Sequence, residues 1–329
     1  MRATHFTSRS LTISTPTSSK LSTPPLGSKV DILYVITGPT ASGKTAKAVA
    51  LAKAVDGEII SADSRQIYRG MDIGTGKDLA EYGTVPYHLI DICDAGYRYN
   101  LFEYLRDYYS ARQEIASRGK TAVLCGGTGL YVESVLKGIE LPPVPPNEQL
   151  RRELAGKSLE ELTAVLAGYK RLHNTTDVDN CKRAIRAIEI AHYYHSHPSE
   201  GALTAPHPLE NAVVVGIGID RDSRRRRITE RLRARLDAGL VDEVRHLLDA
   251  GVSAESLIYY GLEYKYVTQY VTGQIGYDEM FTRLETAIHQ FAKRQMTWFR
   301  GMERRGIAIR WLDWRLSDDD FVAAVTGRR

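Results

Sequence analysis

Thr37-Gly38-Pro39-Thr40-Ala41-Ser42-Gly43-Lys44-Thr45 decides how this chain is read. Gly38, Gly43, Lys44 and Thr45 fill every fixed position of a G-x-x-x-x-G-K-[ST] phosphate-binding loop. The residues before it, Ile32-Leu33-Tyr34-Val35-Ile36, are short, apolar and β-rich, which suits a buried parallel strand. Those after it, Ala46 to Ala52, are strong helix formers with no Gly or Pro. Strand, Gly-rich turn and helix form the context in which the motif acts. The glycines let backbone N–H groups curl around a phosphate, and the helix N-terminus adds partial positive charge. Lys44 is placed to reach terminal phosphates, and Thr45 to offer its hydroxyl to Mg²⁺. The loop therefore predicts a polyphosphate site, without saying whether the polyphosphate is a nucleotide.

The totals set the frame. At 329 residues the chain has room for two domains and a sizeable core. Its hydrophobic and charged fractions, 43% and 26%, are those of a globular protein outside the membrane, and no apolar run approaches a membrane span. The net charge is only +4, so any nucleic-acid surface has to be a local patch. Cys93, Cys125 and Cys181 are far apart without C-x-x-C spacing, which fits buried thiols in a reducing, cytoplasmic compartment and excludes a disulfide framework or zinc site. Residues 1–29 are rich in Ser, Thr and Pro, contain no acid, and lack the apolar core of a secretory signal. They read as a disordered tail, with an organellar transit peptide as the alternative.

Along the chain, Gly57 to Asp63 reads as a second strand that delivers Asp63 to the edge where open α/β sheets bind ligands. That carboxylate suits a general base, a Mg²⁺ partner through water, or a helix N-cap. Gly70 to Lys77 is Gly-rich and polar, the composition of a mobile loop. Tyr87 to Ile92 reads as a strand, Phe102 to Arg118 as a helix, and Thr121 to Cys125 as a buried strand. The last ends in Gly126-Gly127-Thr128-Gly129-Leu130-Tyr131 where a common NTPase carries the Walker-B Asp. So bare a backbone predicts that something approaches it closely.

Leu141 to Pro146 reads as a stiff linker, Asn147 to about Glu200 as a small helical module, and Pro198 to Pro208 as a second linker. Strand character returns at Val213 to Ile219, so the expected fold is a P-loop NTPase-like parallel α/β sheet flanked by helices, interrupted by an all-helical insertion. The expected divisions are 30–146 for the first part of the core, 147–207 for the module and 208–329 for the rest of the core. Asp220 opens a helix on which Arg224, Arg227, Arg231 and Arg235 form a stripe able to clamp phosphates or simply to face solvent. On the late segment Ala287 to Arg300, Ile288, Phe291, Gln295 and Trp298 share one face, while Gln290, Lys293, Arg294 and Thr297 spread over the other. That pattern is a nucleic-acid surface or an amphipathic core helix. Ile309 to Asp313 reads as a last strand.

Taken together, the P-loop, Ile60-Ser61-Ala62-Asp63-Ser64-Arg65-Gln66-Ile67-Tyr68 continuing to Lys77, Gly126 to Tyr131, and Gln290 to Phe299 resemble, in order and spacing, the tRNA dimethylallyltransferases. The likeness runs from about Asp31 to Asp313. It implies transfer of the dimethylallyl group of dimethylallyl diphosphate to N6 of adenosine 37, beside the anticodon of tRNAs reading UNN codons. By position, Gly38, Pro39, Thr40, Ala41, Ser42, Gly43, Lys44 and Thr45 would hold the diphosphate, with Thr45 on Mg²⁺. Asp63 matches the general base on the adenine amine, and Ser64, Arg65 and Gln66 the base pocket. Thr128 matches a hydroxyl near the flipped nucleotide or diphosphate, and Arg227 a second diphosphate clamp. Arg151, Lys182, Arg183, Arg186, Gln290, Lys293, Arg294 and Gln295 fall in or near segments that touch the tRNA anticodon stem-loop. The missing Walker-B acid fits, because no phosphoryl transfer needs support. The partners implied are RNA and the prenyl diphosphate, with no membrane, and the chain is expected to act as a monomer.

One departure stands out: where the family often shows Gly-Tyr-Arg-Gln, this chain has Gly261-Leu262-Glu263-Tyr264, which removes an Arg expected to contact RNA. The rivals are a free adenine-nucleotide isopentenyltransferase, which needs no basic module, and a small-molecule P-loop kinase, which turns over nucleotide. A nucleotide-gated RNA-binding module, needing no base at Asp63, is the non-enzymatic reading.

Overall fold

A computed structural model describes residues 32–139, 141, 144–169, 176–198 and 211–327. The expected tail, residues 142–143 of the first linker and 199–208 of the second lie outside them. β1 (Leu33–Thr37) leads through the P-loop into α1 (Lys44–Ala54), and β2 (Gly57–Ser61) follows. β3 (Tyr87–His88), α2 (Leu101–Ser117), β4 (Thr121–Cys125) and α3 (Gly129–Leu136) complete the first stretch. Then come α4 (Glu148–Leu154), α5 (Leu159–Tyr169) and α6 (Cys181–Ser196). The chain re-enters the sheet at β5 (Ala212–Gly218) and continues through α7 (Arg221–Asp237), α8 (Leu240–Asp249), α9 (Ala254–Tyr260) and α10 (Leu262–Val271). α11 (Tyr277–Arg304), β6 (Arg310–Asp313) and α12 (Asp318–Thr326) end it.

The six strands form one parallel sheet in the order β3-β2-β4-β1-β5-β6. Alternation along the strands supplies two cores, as a sheet covered on both faces requires. Leu33, Val35, Ile60, Leu124 and Val214 pack against Tyr104, Tyr108 and Val132 of α2 and α3. Ile36, Ile59, Val123, Val215 and Ile217 pack against Ala48, Leu51 and Phe321 of α1 and α12. α7, α8, α10 and α11 enclose a third core with Ile67, Tyr68 and Met71, and α4 to α6 a small fourth one around Leu154, Leu162, Leu166 and Ile188. Helix starts follow local chemistry. Asn100 and Glu103 make a capping box on α2, and Asn147, Asn180 and Asp220 cap α4, α6 and α7 through their side chains.

Three readings of local sequence are corrected. The strand expected over Tyr87 to Ile92 stops at His88, because Leu89 and Asp91 take left-handed backbone (φ 61° and 56°). The turn brings the Asp91 carboxylate onto the buried Lys77 ammonium. Gly70 to Lys77, with the composition of a mobile loop, is instead tied down. Lys77 also bonds to Tyr68 O and Asp72 Oδ1, both at 2.6 Å. Glu243 of α8 accepts from the N–H groups of Asp72, Ile73 and Gly74 at 2.8, 2.6 and 3.0 Å. Of the three cysteines expected to be buried, Cys125 is buried and Cys93 half-buried, but Cys181, at the start of α6, is exposed.

Candidate active site

The C-terminal edge of β1, β2 and β4 opens into a cavity of about 550 Å³. Thr40, Ala41, Gly43, Lys44 and Thr45 of the P-loop line it, with Asp63, Arg65 and Gln66 past the end of β2. Arg227 and Arg231 reach in from α7, and Phe291 and Gln295 from α11. The loop adopts its shape through left-handed backbone at Ala41 (φ 62°) and Gly43 (φ 83°), the latter capping α1. Lys44 Nζ donates to Pro39 O at 3.0 Å. Burial pulls its ammonium below the ordinary value, against the pull of Cys125 and Asp63 in the other direction. A phosphate arriving here meets a cation whose charge is otherwise poorly compensated.

Gln295 braces this loop. It is 6% exposed; its Oε1 accepts from Thr40 N at 2.8 Å and its Nε2 donates to Gly127 O at 2.9 Å. Gln295, expected among the residues that touch RNA, lines the cavity, and its amide also spans the gap between the P-loop and the Gly-rich turn. Neighbouring Trp298 is not in the core face but 40% exposed, lying across Gly129. The bare glycines are thus explained by the protein itself. A Cβ on Gly126 would lie 2.2 Å from Ala62 O, one on Gly127 2.4 Å from Gln295 Nε2, and one on Gly129 2.3 Å from the Trp298 ring. What approaches the turn is the end of β2 and α11.

That close approach sets Asp63. Ala62 N bonds to Cys125 O at 2.7 Å, extending the β2–β4 ladder one step, and Thr128 N bonds to Ala62 O at 3.1 Å. The Thr128 hydroxyl accepts from Ser64 N at 3.0 Å, fixing the turn after Asp63; it is not among the groups lining the cavity. Asp63 Oδ1 accepts from Arg65 N at 3.0 Å, an Asx-type turn that holds the carboxylate over the cavity. Gln66 bridges Ser61 Oγ (3.0 Å) and Gly76 O (3.2 Å).

The arginine stripe divides by function. Arg227 donates through Nε to Ala41 O at 2.9 Å and lies 4.8 Å from the Trp314 ring centroid. Arg231 lines the cavity and reaches Asp78 at 3.5 Å. Arg235 turns inward, with Nη1 3.1 Å from Glu263 Oε1 and 3.3 Å from Gly74 O, while Nη2 is buried with no hydrogen-bond partner among the described residues. Arg65 Nη1 meets Glu263 Oε2 at 2.5 Å, and its guanidinium lies 5.6 Å from the Phe291 centroid. Burial pushes the Glu263 carboxyl up, but the two arginines hold it below the usual carboxylate range. Burial and Arg231 bring Arg235 down to about 10. Sequence reasoning placed Arg231 and Arg235 on a stripe that either clamps phosphates or faces solvent; it missed Glu263 as the partner of Arg235. The i, i+4 spacing was the signal for the first two; nothing local announces the third.

The remaining expected RNA contacts are placed as follows. Gln290, Lys293 and Arg294 are exposed on α11. Lys182 and Arg183 are exposed at the start of α6, Arg183 pairing with Asp179 at 2.6 Å. Arg151 and Arg186 both bond Glu189, whose side chain is wholly buried, at 2.7 and 3.1 Å, and Arg186 also bonds Val144 O at 2.7 Å. These two hold the helical module together; they also line a separate groove with Tyr97, Arg106 and Ile190.

A parallel α/β sheet whose phosphate loop, arginines and unpaired carboxylate share one cavity defines a P-loop group-transfer enzyme. The model of the IPP transferase family matches residues 66–302, and that of the isopentenyl transferases matches residues 31–83. The chain is 63% identical over 285 residues to tRNA dimethylallyltransferase 2 of Bacteroides fragilis, covering 85% of this chain and 92% of that one. It is 60% identical over 297 residues to tRNA dimethylallyltransferase 2 of Porphyromonas gingivalis, covering 89% and 97%. Among solved structures, the tRNA isopentenylpyrophosphate transferase of Bacillus halodurans matches at TM-score 0.65 and 33% identity, over 90% of this chain and 94% of that one. A eukaryotic dimethylallyltransferase acting on tRNA, 20% identical, shares the fold at TM-score 0.70, over 91% of this chain and 77% of that one. This chain belongs to the IPP transferase family, the tRNA dimethylallyltransferases, and is a prenyl transferase.

Proposed function

We propose that this enzyme, acting as a monomer, transfers the dimethylallyl group of dimethylallyl diphosphate to N6 of adenosine 37 in tRNAs reading UNN codons. The observation that carries the reading is one cavity holding both the P-loop and the Asp63 carboxylate, with Cys125 and Gly126 where a phosphoryl-transfer enzyme carries its acid.

The P-loop backbone, Lys44 and Arg227 bind the diphosphate; the allylic C–O bond breaks and they take up the charge that develops on the leaving group. The adenine amine attacks the allylic carbon, the C–N bond forms, and Asp63 accepts the proton that N6 loses. Products are the prenylated adenosine, diphosphate and one proton on Asp63, released to water. A Mg²⁺ ion fits this site as a substrate-held cation. The Thr45 hydroxyl lines the cavity, and among the described residues no cluster of three or more His, Cys, Asp or Glu could hold a metal. When bound, it supplies further charge for the leaving diphosphate. Arg65 and Phe291 form the wall against which a flipped base lies, while Lys293 and Arg294 beside them, and Lys182 and Arg183 on the helical module (residues 147–207), hold the RNA stem. The compartment consistent with this role is the cytoplasm.

A transfer assay tests it, with labelled dimethylallyl diphosphate, Mg²⁺ and three acceptors: an anticodon stem-loop with A37, the same loop with G37, and AMP. Label on the A37 loop alone is expected. Label on AMP would assign the chain to free-nucleotide chemistry, and ATP turnover without prenyl transfer would reject the reading.

A further inference from the structure

Glu263 stands where an arginine was expected and is 2% exposed. Its carboxylate is instead shared by two arginines, Arg65 at 2.5 Å and Arg235 at 3.1 Å. Arg65 is the significant partner. Its backbone N–H donates to Asp63 Oδ1 at 3.0 Å and both side chains line the same cavity, so the guanidinium, released, has the Asp63 carboxylate within reach. A guanidinium bonded bidentately to a carboxylate ties up the lone pairs that a base needs. In the structure that does not occur: the guanidinium points to Glu263 and lies along Phe291, while among the described residues the Asp63 carboxylate keeps only the backbone N–H.

We infer that Glu263 is a positioning residue that keeps Arg65 off Asp63: a competing buried carboxylate that leaves the catalytic base free while fixing Arg65 as a wall of the base pocket. The inference rests on the reading of Asp63 as base. Two features favour this over a purely structural ion pair. Arg235 already gives Glu263 a partner, so Arg65 is not needed to satisfy the carboxylate. Arg65 also lines the cavity beside Asp63, where a neutral side chain would serve packing equally well.

The test is a double-mutant comparison in the stem-loop transfer assay with Asp63→Asn, Glu263→Gln, Arg65→Gln and the Arg65→Gln/Glu263→Gln pair. Glu263→Gln is expected to lower kcat about 10- to 100-fold, a part of what general-base catalysis contributes. The KM for dimethylallyl diphosphate should move by less than about threefold, since the P-loop is untouched. Adding Arg65→Gln to Glu263→Gln should raise kcat again by about fivefold or more, because the residue that captures Asp63 is gone. A merely structural role for Glu263 predicts the opposite, a pair as slow as or slower than Glu263→Gln, and that outcome overturns the inference. If Glu263→Gln does not fold, Glu263→Asp, which keeps the charge and shortens its reach, carries the same comparison. Wild-type kcat in Asp63→Asn would remove the base itself, and is distinguishable from a slow Asp63→Asn accompanied by an unrescued pair.

Discussion

Gln295→Leu separates two readings of one residue. On sequence grounds Gln295 belongs to an RNA-contacting segment; in the structure it is the strut between Thr40 and Gly127. Leucine has nearly the same volume, so packing is kept and two hydrogen bonds are lost. The groups left behind are a backbone N–H and a backbone C=O, each costing about 1–3 kcal/mol when buried and unsatisfied. Thr40 N borders the cavity and can recover a water or phosphate partner; Gly127 O lies against the buried amide and cannot. With Gly127 O the one group left unsatisfied, the net expectation is a loss of about 1–3 kcal/mol in the free enzyme, a fall in melting temperature of roughly 2–4 °C for each kcal/mol. Because the strut sets the P-loop, the KM for dimethylallyl diphosphate should rise, by about tenfold for each 1.4 kcal/mol of binding lost. Saturating diphosphate ligand should recover part of the melting loss, by supplying the Thr40 N–H with an acceptor. The assays are thermal unfolding with and without diphosphate, and initial rates with each substrate varied. An unchanged melting temperature with a raised KM for RNA alone would refute the strut and restore the surface role.

Further outcomes are expected elsewhere. Asp63→Asn should cut kcat by about 10²–10⁴-fold with little change in melting temperature, since among the described residues the carboxylate's one hydrogen bond is an Asx-turn bond that the amide oxygen also makes. Arg227→Lys should raise the KM for the prenyl diphosphate by about tenfold or more, since an ammonium cannot both bond Ala41 O and present a planar fork; unchanged kinetics would remove Arg227 from the clamp. Gly76→Ala puts a Cβ 1.7 Å from Arg235 Nη2 and 2.1 Å from Arg231 Nη2 at φ +63°, so it should destabilise the fold by about 1–3 kcal/mol and weaken diphosphate binding together. Hydrogen bonds from Arg118, against burial, hold the Glu58 carboxyl below the usual carboxylate range. Its stabilisation is complete above the unfolded value near pH ~4.3 and is lost as pH falls through the lower folded value. Glu58→Gln should therefore flatten the melting-temperature profile between neutral pH and about pH 3, and a profile parallel to wild type would contradict the pairing.

Local sequence by itself determined the elements whose cause is local. The P-loop is legible because its glycines, lysine and threonine act through their own backbone and neighbouring helix. β1, β4 and β5 are legible because a strand covered on both faces must be apolar throughout, and α2 because the spacing of its apolar positions is written in consecutive residues. Asp63 could be placed at the ligand edge from its position after an apolar run. Tertiary structure alone decided what depends on residues brought together from distant segments. Gln295 looks like one more polar residue on a basic helix until the sheet sets Thr40 and Gly127 at its two ends, 255 and 168 residues away. The same holds for the glycines after β4, bare because Ala62, Gln295 and Trp298 press on them. It holds most for Glu263, an anomaly in its own segment whose partners, Arg65 and Arg235, come from other elements. Periodicity reports which side of an element is buried; only the packing of one element on another says what a buried polar group must hold.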